Sequence, residues 1–123
     1  MPIDKEWPYF SNEELKCPCC GKVEMDEHFM TQLVSLREAY GKPLPVTSGF
    51  RCLKHNEAIG GAPNSGHLFG KAVDIRITSP DAYFLFKCLF KGEYEFNGIG
   101  VSQKSASRFI HLDTMPRHAI WSY

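Results

Sequence analysis

Ser65-Gly66-His67-Leu68-Phe69-Gly70-Lys71-Ala72-Val73-Asp74-Ile75 changes character halfway along. Its first half carries Ser and two Gly and reads as loop. Its second half alternates. Val73, Ile75 and the following Ile77 fall on one face of an extended chain, while Asp74 and Arg76 fall on the other. A strand is predicted over Ala72 to Ile77. One short segment thus brings a histidine from a loop and a carboxylate from the non-core face of a strand.

Asn97 to Val101 and Phe109 to Thr114 read as two further strands. In the second, Ile110 and Leu112 face the core, and Phe109, His111 and Asp113 share the opposite face. On the other side, residues 48–71 are rich in Gly, Ser, Asn and Pro. They read as a long irregular stretch with one helical turn near His55 to Ile59. A loop of that length carrying His, Arg and Asn points to function. Leu44 to Thr47 is a short strand.

Ser11 and Glu14 form a capping box. Asp26 caps a helix running to Tyr40, with Phe29, Leu33, Leu36 and Tyr40 at helical spacing and Gly41 and Pro43 ending it. A second helix is predicted with Ser79 as N-cap and Pro80 at its first position. It runs to about Phe90 and is apolar nearly all round. It should therefore be well buried, with Phe84, Phe86 and Phe90 joining Phe29 in the core.

The chain has 123 residues, 43% of them hydrophobic. That suits one domain over 1–123, with residues 1–25 as an N-terminal arm. Fourteen basic and fourteen acidic residues give a formal charge of zero. No broad field for nucleic acid or anionic lipid is expected, so neither nucleic acid nor membrane is expected as a partner. A monomer is expected. The opening Met-Pro-Ile-Asp-Lys-Glu-Trp-Pro has no basic head before an apolar run, and no stretch is long enough to span a bilayer. The expectation is synthesis in the cytoplasm and action elsewhere after release or delivery.

His67, Asp74 and His111 are the candidate metal ligands. If the strands bearing Asp74 and His111 share a sheet, those two side chains converge and the loop folds His67 over them. Two His and one carboxylate leave the fourth tetrahedral position open, the arrangement of a catalytic zinc site. Spacing alone does not separate this from a surface His and a solvated Asp.

Taken together, Ser48-Gly49-Phe50-Arg51, Asn56, Gly60-Gly61-Ala62, the 65–75 segment, Gly98-Ile99-Gly100 and Phe109-Ile110-His111-Leu112-Asp113 form an ordered set. From about Phe10 to Trp121 the chain resembles the D-alanyl-D-alanine carboxypeptidase-like zinc peptidases. That family includes bacterial D,D-carboxypeptidases, phage endolysins that cut peptidoglycan peptides, and hedgehog-like domains. The resemblance implies a small α+β fold with a central, mainly antiparallel sheet and packed helices. It implies Zn²⁺ held by His67, Asp74 and His111, and Arg51 gripping the substrate carboxylate or the developing oxyanion. A guanidinium suits that task because it forks onto a carboxylate, although Arg51 bracing its own loop is the plainer reading. Ser65 orients substrate or holds its loop. Trp121 walls the cleft or packs in the core. The implied substrate is a peptidoglycan stem peptide, cut at terminal D-Ala-D-Ala or at an internal crosslink. The rival is a non-catalytic metal-binding or cell-wall-binding module.

The sequence departs from the family at one catalytic position. Many members carry an acid three residues before the last ligand His, and here that residue is Arg108. Asp113, two residues after His111, stands in as general base, or it accepts a bond from the ligand His and fixes its tautomer. Glu93 and Glu95 are outside candidates for the base. The cysteines are Cys17, Cys19, Cys20, Cys52 and Cys88. An odd count argues against a full disulfide framework. Cys17-Pro18-Cys19-Cys20-Gly21 with Cys52 reads as thiols stapling the arm to the Arg51 loop, as a disulfide to Cys52, or as a second metal site. Cys88 reads as core.

Overall fold

Capping and periodicity place the helices close to where the sequence puts them. A computed structural model describes residues 6–104 and 106–123. Met1 to Lys5, on which much of the N-terminal reading rests, lie outside the described residues. Helix α1 (Asn12–Leu15) starts with the expected capping box between Ser11 and Glu14. Helix α2 (Glu27–Tyr40) is capped by the Asp26 carboxylate, which accepts from the Phe29 amide, and ends at Gly41 in the left-handed conformation. Phe29, Met30, Leu33 and Leu36 are buried on one side of it.

Five strands form one sheet in the order β1-β2-β4-β3-β5. They are β1 (Val46–Ser48), β2 (Ala72–Arg76), β3 (Gly98–Ser102), β4 (Phe109–Asp113) and β5 (Ala119–Ser122). β1 pairs with β2, β2 with β4, and β3 with β4, all antiparallel. β5 runs parallel to β3. The fold is α+β with a mainly antiparallel sheet, as expected. β5 was not anticipated; it is a short strand at the sheet edge with largely exposed residues. Between β1 and β2 lie α3 (Leu53–Ala58) and a 3₁₀ turn, Gly66–Phe69.

One face of the sheet is apolar. Val73, Ile75, Ile99, Ile110 and Leu112 pack there with the buried residues of α2 and with Leu15, Leu85 and Leu89. No helix among the described residues is long and apolar enough to cross a membrane.

Helix α4 (Asp81–Lys91) corrects two expectations. Pro80, not Ser79, occupies the N-cap and no side chain caps the helix; the Ser79 amide donates to Gln103 Oε1 at 2.9 Å instead. Nor is the helix buried all round. Ala82, Leu85 and Leu89 form its single buried stripe, while Tyr83, Phe84 and Phe90 are exposed. Phe86 packs partly against the core. Apolar composition does not say how many neighbours a helix has, and α4 meets the core along one side. Leu33→Ala should therefore cost about 2–5 kcal/mol, and Phe90→Ala should change stability by no more than about 0.5 kcal/mol. Urea unfolding midpoints of the two variants against the parent chain check this.

Candidate metal centre

Sheet register builds the site. Asp74 on β2 pairs with His111 on β4, His111 pairs with Gly100 on β3, and Gly100 pairs with Trp121 on β5. Residues paired across neighbouring strands point to the same face, so Asp74, His111 and Trp121 form one row. Gly100 leaves a gap in that row. A Cβ there would come within 2.8 Å of Trp121 Nε1, so the missing side chain gives the indole room to lean toward His111. Their ring centroids are 5.3 Å apart. The next row holds Asp113 opposite Gly98. The Asp113 carboxylate lies over that glycine, and a Cβ at Gly98 would collide with both of its oxygens.

His67 reaches the same point from the 3₁₀ turn. Ser65 caps that turn, its Oγ accepting from the His67 amide at 3.2 Å. The His67 carbonyl accepts from the Arg51 amide at 3.1 Å. His67 Nδ1 lies 2.7 Å from the Gly49 carbonyl. A carbonyl only accepts, so Nδ1 carries a proton and Nε2 is the ring atom that faces Asp74 Oδ1, 3.4 Å away. His111 is held in the complementary sense. Its Nε2 is 2.7 Å from Asp113 Oδ2, and its Nδ1 is 2.9 Å from Asp74 Oδ1.

These three residues fit a zinc ion. One donor atom from each of His67, Asp74 and His111 lies within 4.8 Å of the others. Ligand atoms about 2.0–2.1 Å from a tetrahedral zinc stand about 3.3 Å from one another, near the 3.4 and 2.9 Å separating Asp74 Oδ1 from the two histidines. The donor set suits zinc chemically, and each imidazole has its second nitrogen tied to an acceptor, as metal-ligating histidines do.

Hydrogen bonding outweighs burial at two of these three side chains. Burial would raise the Asp74 carboxyl, but hydrogen bonds from His111 and His67 outweigh it and hold the group well below the usual carboxylate range. Burial would likewise depress His111. Its bonds to Asp113 and Asp74 win, and the imidazolium persists above the usual histidine range. A divalent cation and that proton compete for the same Nδ1 lone pair.

The centre opens into a cleft of about 490 Å³ lined by Arg51, Ser65, Phe109, Arg117, Trp121 and Tyr123 among others. Arg51 Nε donates to Ser48 Oγ at 3.3 Å and Nη1 to Asn56 Oδ1 at 3.2 Å, while Nη2 sits 3.7 Å from Asp74 Oδ2. Asn56 is buried and donates on to the Ala62 carbonyl. Arg51 thus braces the loop through side chains and still faces the cleft. Trp121 is half-buried at the wall, with the Arg117 guanidinium 4.9 Å from its ring centroid.

Asp113 stands behind His111. It is fully buried, and besides His111 it accepts from the Met115 amide at 3.1 Å and Arg117 Nη2 at 3.3 Å. Glu95 pairs with His28 at 2.7 Å, and neither Glu93 nor Glu95 lines the cleft. Tyr123 and Arg117 were missed in the sequence. The short alternating run Ile120-Trp121-Ser122-Tyr123 was the available signal. No sequence signal announces the Gly49 carbonyl.

Two comparisons with known proteins agree with this centre. The zinc D-Ala-D-Ala carboxypeptidase of Streptomyces albus G is 45% identical over 47 residues, which is 37% of this chain and 18% of that protein. The chain therefore matches less than a fifth of that relative's length. The model of the Peptidase M15 family matches residues 8–113, a span that contains all three candidate metal ligands. By that match, this chain belongs to the Peptidase M15 family.

Proposed function

We propose that the chain acts as a single, monomeric, zinc-dependent peptidase domain that hydrolyses an amide bond in a peptidoglycan stem peptide. The observation that carries this reading is the convergence of His67 Nε2, Asp74 Oδ1 and His111 Nδ1 in a cleft that also contains Arg51. The relative named as a D-Ala-D-Ala carboxypeptidase supports the substrate class.

A zinc ion held by His67, Asp74 and His111 would supply Lewis acidity, polarising a carbonyl and bringing the pKa of water toward about 7. The chain's own residues supply the rest. Arg51 is held by Ser48 and Asn56, so its Nη2 edge is available at the cleft for a substrate carboxylate or a developing oxyanion. Ser65 holds the His67 turn through its hydroxyl. Trp121 and Tyr123 form an aromatic wall against which an extended peptide lies.

Asp113 is a positioning residue in this proposal. Its oxygens are taken by His111, Met115 and Arg117. It fixes the His111 tautomer and does not reach the open side of the centre. Among the described residues lining the cleft, Asp74 is the sole one with a carboxylate side chain. That observation favours a second reading, in which the same centre serves a metal-binding, wall-recognising module with little turnover.

Three outcomes are expected. Purified protein mixed with peptidoglycan fragments should release new amino termini, lose that activity to a chelator and regain it with Zn²⁺. Metal uptake and wall binding without new amino termini would replace the peptidase with the recognition module. Mass spectrometry of the products would tell loss of terminal D-Ala from an internal cut. Asp113→Asn should weaken zinc binding about 10- to 100-fold in competition with a chelator. Unchanged affinity, with loss confined to one limb of the pH–rate profile, would make Asp113 the base instead. Arg51→Lys should keep zinc affinity and lower kcat/KM about 10- to 100-fold, because a forked, charge-assisted bond is lost.

A further inference from the structure

The N-terminal cysteines gather at a place the peptidase reading does not use. Cys17, Cys20 and Cys52 each place a sulfur within 4.8 Å of the other two. Cys17 and Cys20 come from the arm just after α1, and Cys52 from the N-cap of α3, next to Arg51. Cys19 sits in the same turn, exposed and outside that 4.8 Å group. Cys19 and Cys20 are exposed, Cys17 is buried and Cys52 lies between.

We propose that Cys17, Cys20 and Cys52 hold a second, structural zinc ion, with the exposed Cys19 thiol turning in as the fourth ligand, and that this ion clamps the N-terminal arm to the loop carrying Arg51. This assignment does not depend on the chain being a peptidase.

Two observations carry it. The first is separation. Sulfurs at about 2.3 Å from a tetrahedral zinc stand about 3.8 Å apart, whereas disulfide sulfurs stand about 2.05 Å apart. The Cys17 and Cys52 sulfurs are 3.7 Å apart, and all the cysteines are free. The second is the amide shell. The Cys52 amide donates to Cys17 Sγ at 3.4 Å, and the His55 amide donates to Cys52 Sγ at 3.4 Å. Thiols packed merely as small apolar groups need no such donors, but thiolates do. The turn that brings Cys17 and Cys20 together is closed by backbone bonds: the Gly21 amide donates to the Cys17 carbonyl at 2.8 Å and the Cys17 amide to the Lys22 carbonyl at 2.8 Å. Gly21 adopts the positive φ that lets the chain reverse there. Metal uptake releases the thiol protons to solvent and involves no redox step.

A clamp here would act on the first centre through the backbone. Between Cys52 and Gly49 lie only Arg51 and Phe50, the Phe50 amide donates to the Leu15 carbonyl at 2.9 Å, and the Gly49 carbonyl holds His67. A Cβ at Gly49 would meet the Leu15 carbonyl oxygen at 2.8 Å, so arm and loop are already in close contact.

The test uses the full chain, purified under reducing conditions and loaded with Zn²⁺ or Co²⁺. Elemental analysis should find two zinc ions per chain. The cobalt form should show thiolate-to-metal charge transfer in the near ultraviolet, which a centre of two His and one Asp does not give. His67→Ala/His111→Ala should retain one metal and the charge-transfer band. Cys20→Ser should lose one metal and that band, Cys19→Ser should weaken the band, and Cys88→Ser should leave both unchanged. A single zinc in the parent chain with no thiolate band would overturn the proposal, as would a Cys17–Cys52 bridge found by non-reducing mass spectrometry. The spectrum of the parent chain answers the question even if a cysteine variant does not fold.

Discussion

His111 is gripped at both ring nitrogens by carboxylates, Asp74 at 2.9 Å and Asp113 at 2.7 Å, and much of the molecule exists to hold that arrangement. The ring sits on the central strand of the sheet, where both sides are paired and the backbone has least freedom to shift. Two carboxylates around one imidazole would repel each other without a positive charge between them. A protonated ring provides it in the absence of metal, and a cation at Nδ1 provides it otherwise. Two glycines make the geometry possible. Gly98 leaves room beneath Asp113 and Gly100 leaves room beside Trp121, so one polar and one aromatic side chain occupy space that ordinary strand residues would fill.

The third donor depends on loop backbone rather than on the sheet. His67 is aimed by the Gly49 carbonyl, its turn is capped by Ser65, and its own carbonyl is tied to the Arg51 amide. Gly49 in turn lies against the backbone of Leu15. The long irregular stretch is thus ordered by a chain of backbone bonds that runs from the N-terminal arm, through the Arg51 loop, to the ligand. Small displacements of the arm would be felt as rotation of an imidazole, which is why a clamp between arm and loop is of mechanical use to the centre.

The other face of the molecule shows what composition cannot tell. Helix α4 carries Tyr83, Phe84 and Phe90 on the outside although its sequence is apolar enough for full burial. Burial depends on neighbours, and α4 is covered along one stripe only. In the same way Asp113 and His111 share a strand face, as alternation requires, yet the carboxylate is turned behind the ring and away from the cleft, because Gly98, the Met115 amide and Arg117 receive it there.

Alternation alone put Asp74 and His111 on the non-core faces of two strands, and helical spacing and caps set the limits of α2; these are local properties, written in side-chain type and period, whereas His67, Asp74 and His111 were singled out as candidate ligands by the resemblance that the ordered motif from Ser48 to Asp113 carries. The pairing of β2 with β4, the edge strand β5 with Trp121 and Tyr123, the backbone carbonyl behind His67, the burial of Asp113 and the meeting of Cys17 and Cys20 with Cys52 were decided only in three dimensions. Each of these joins residues remote in the chain or uses a backbone atom that every residue possesses, and no one-dimensional pattern distinguishes such an atom until the fold has chosen its partner.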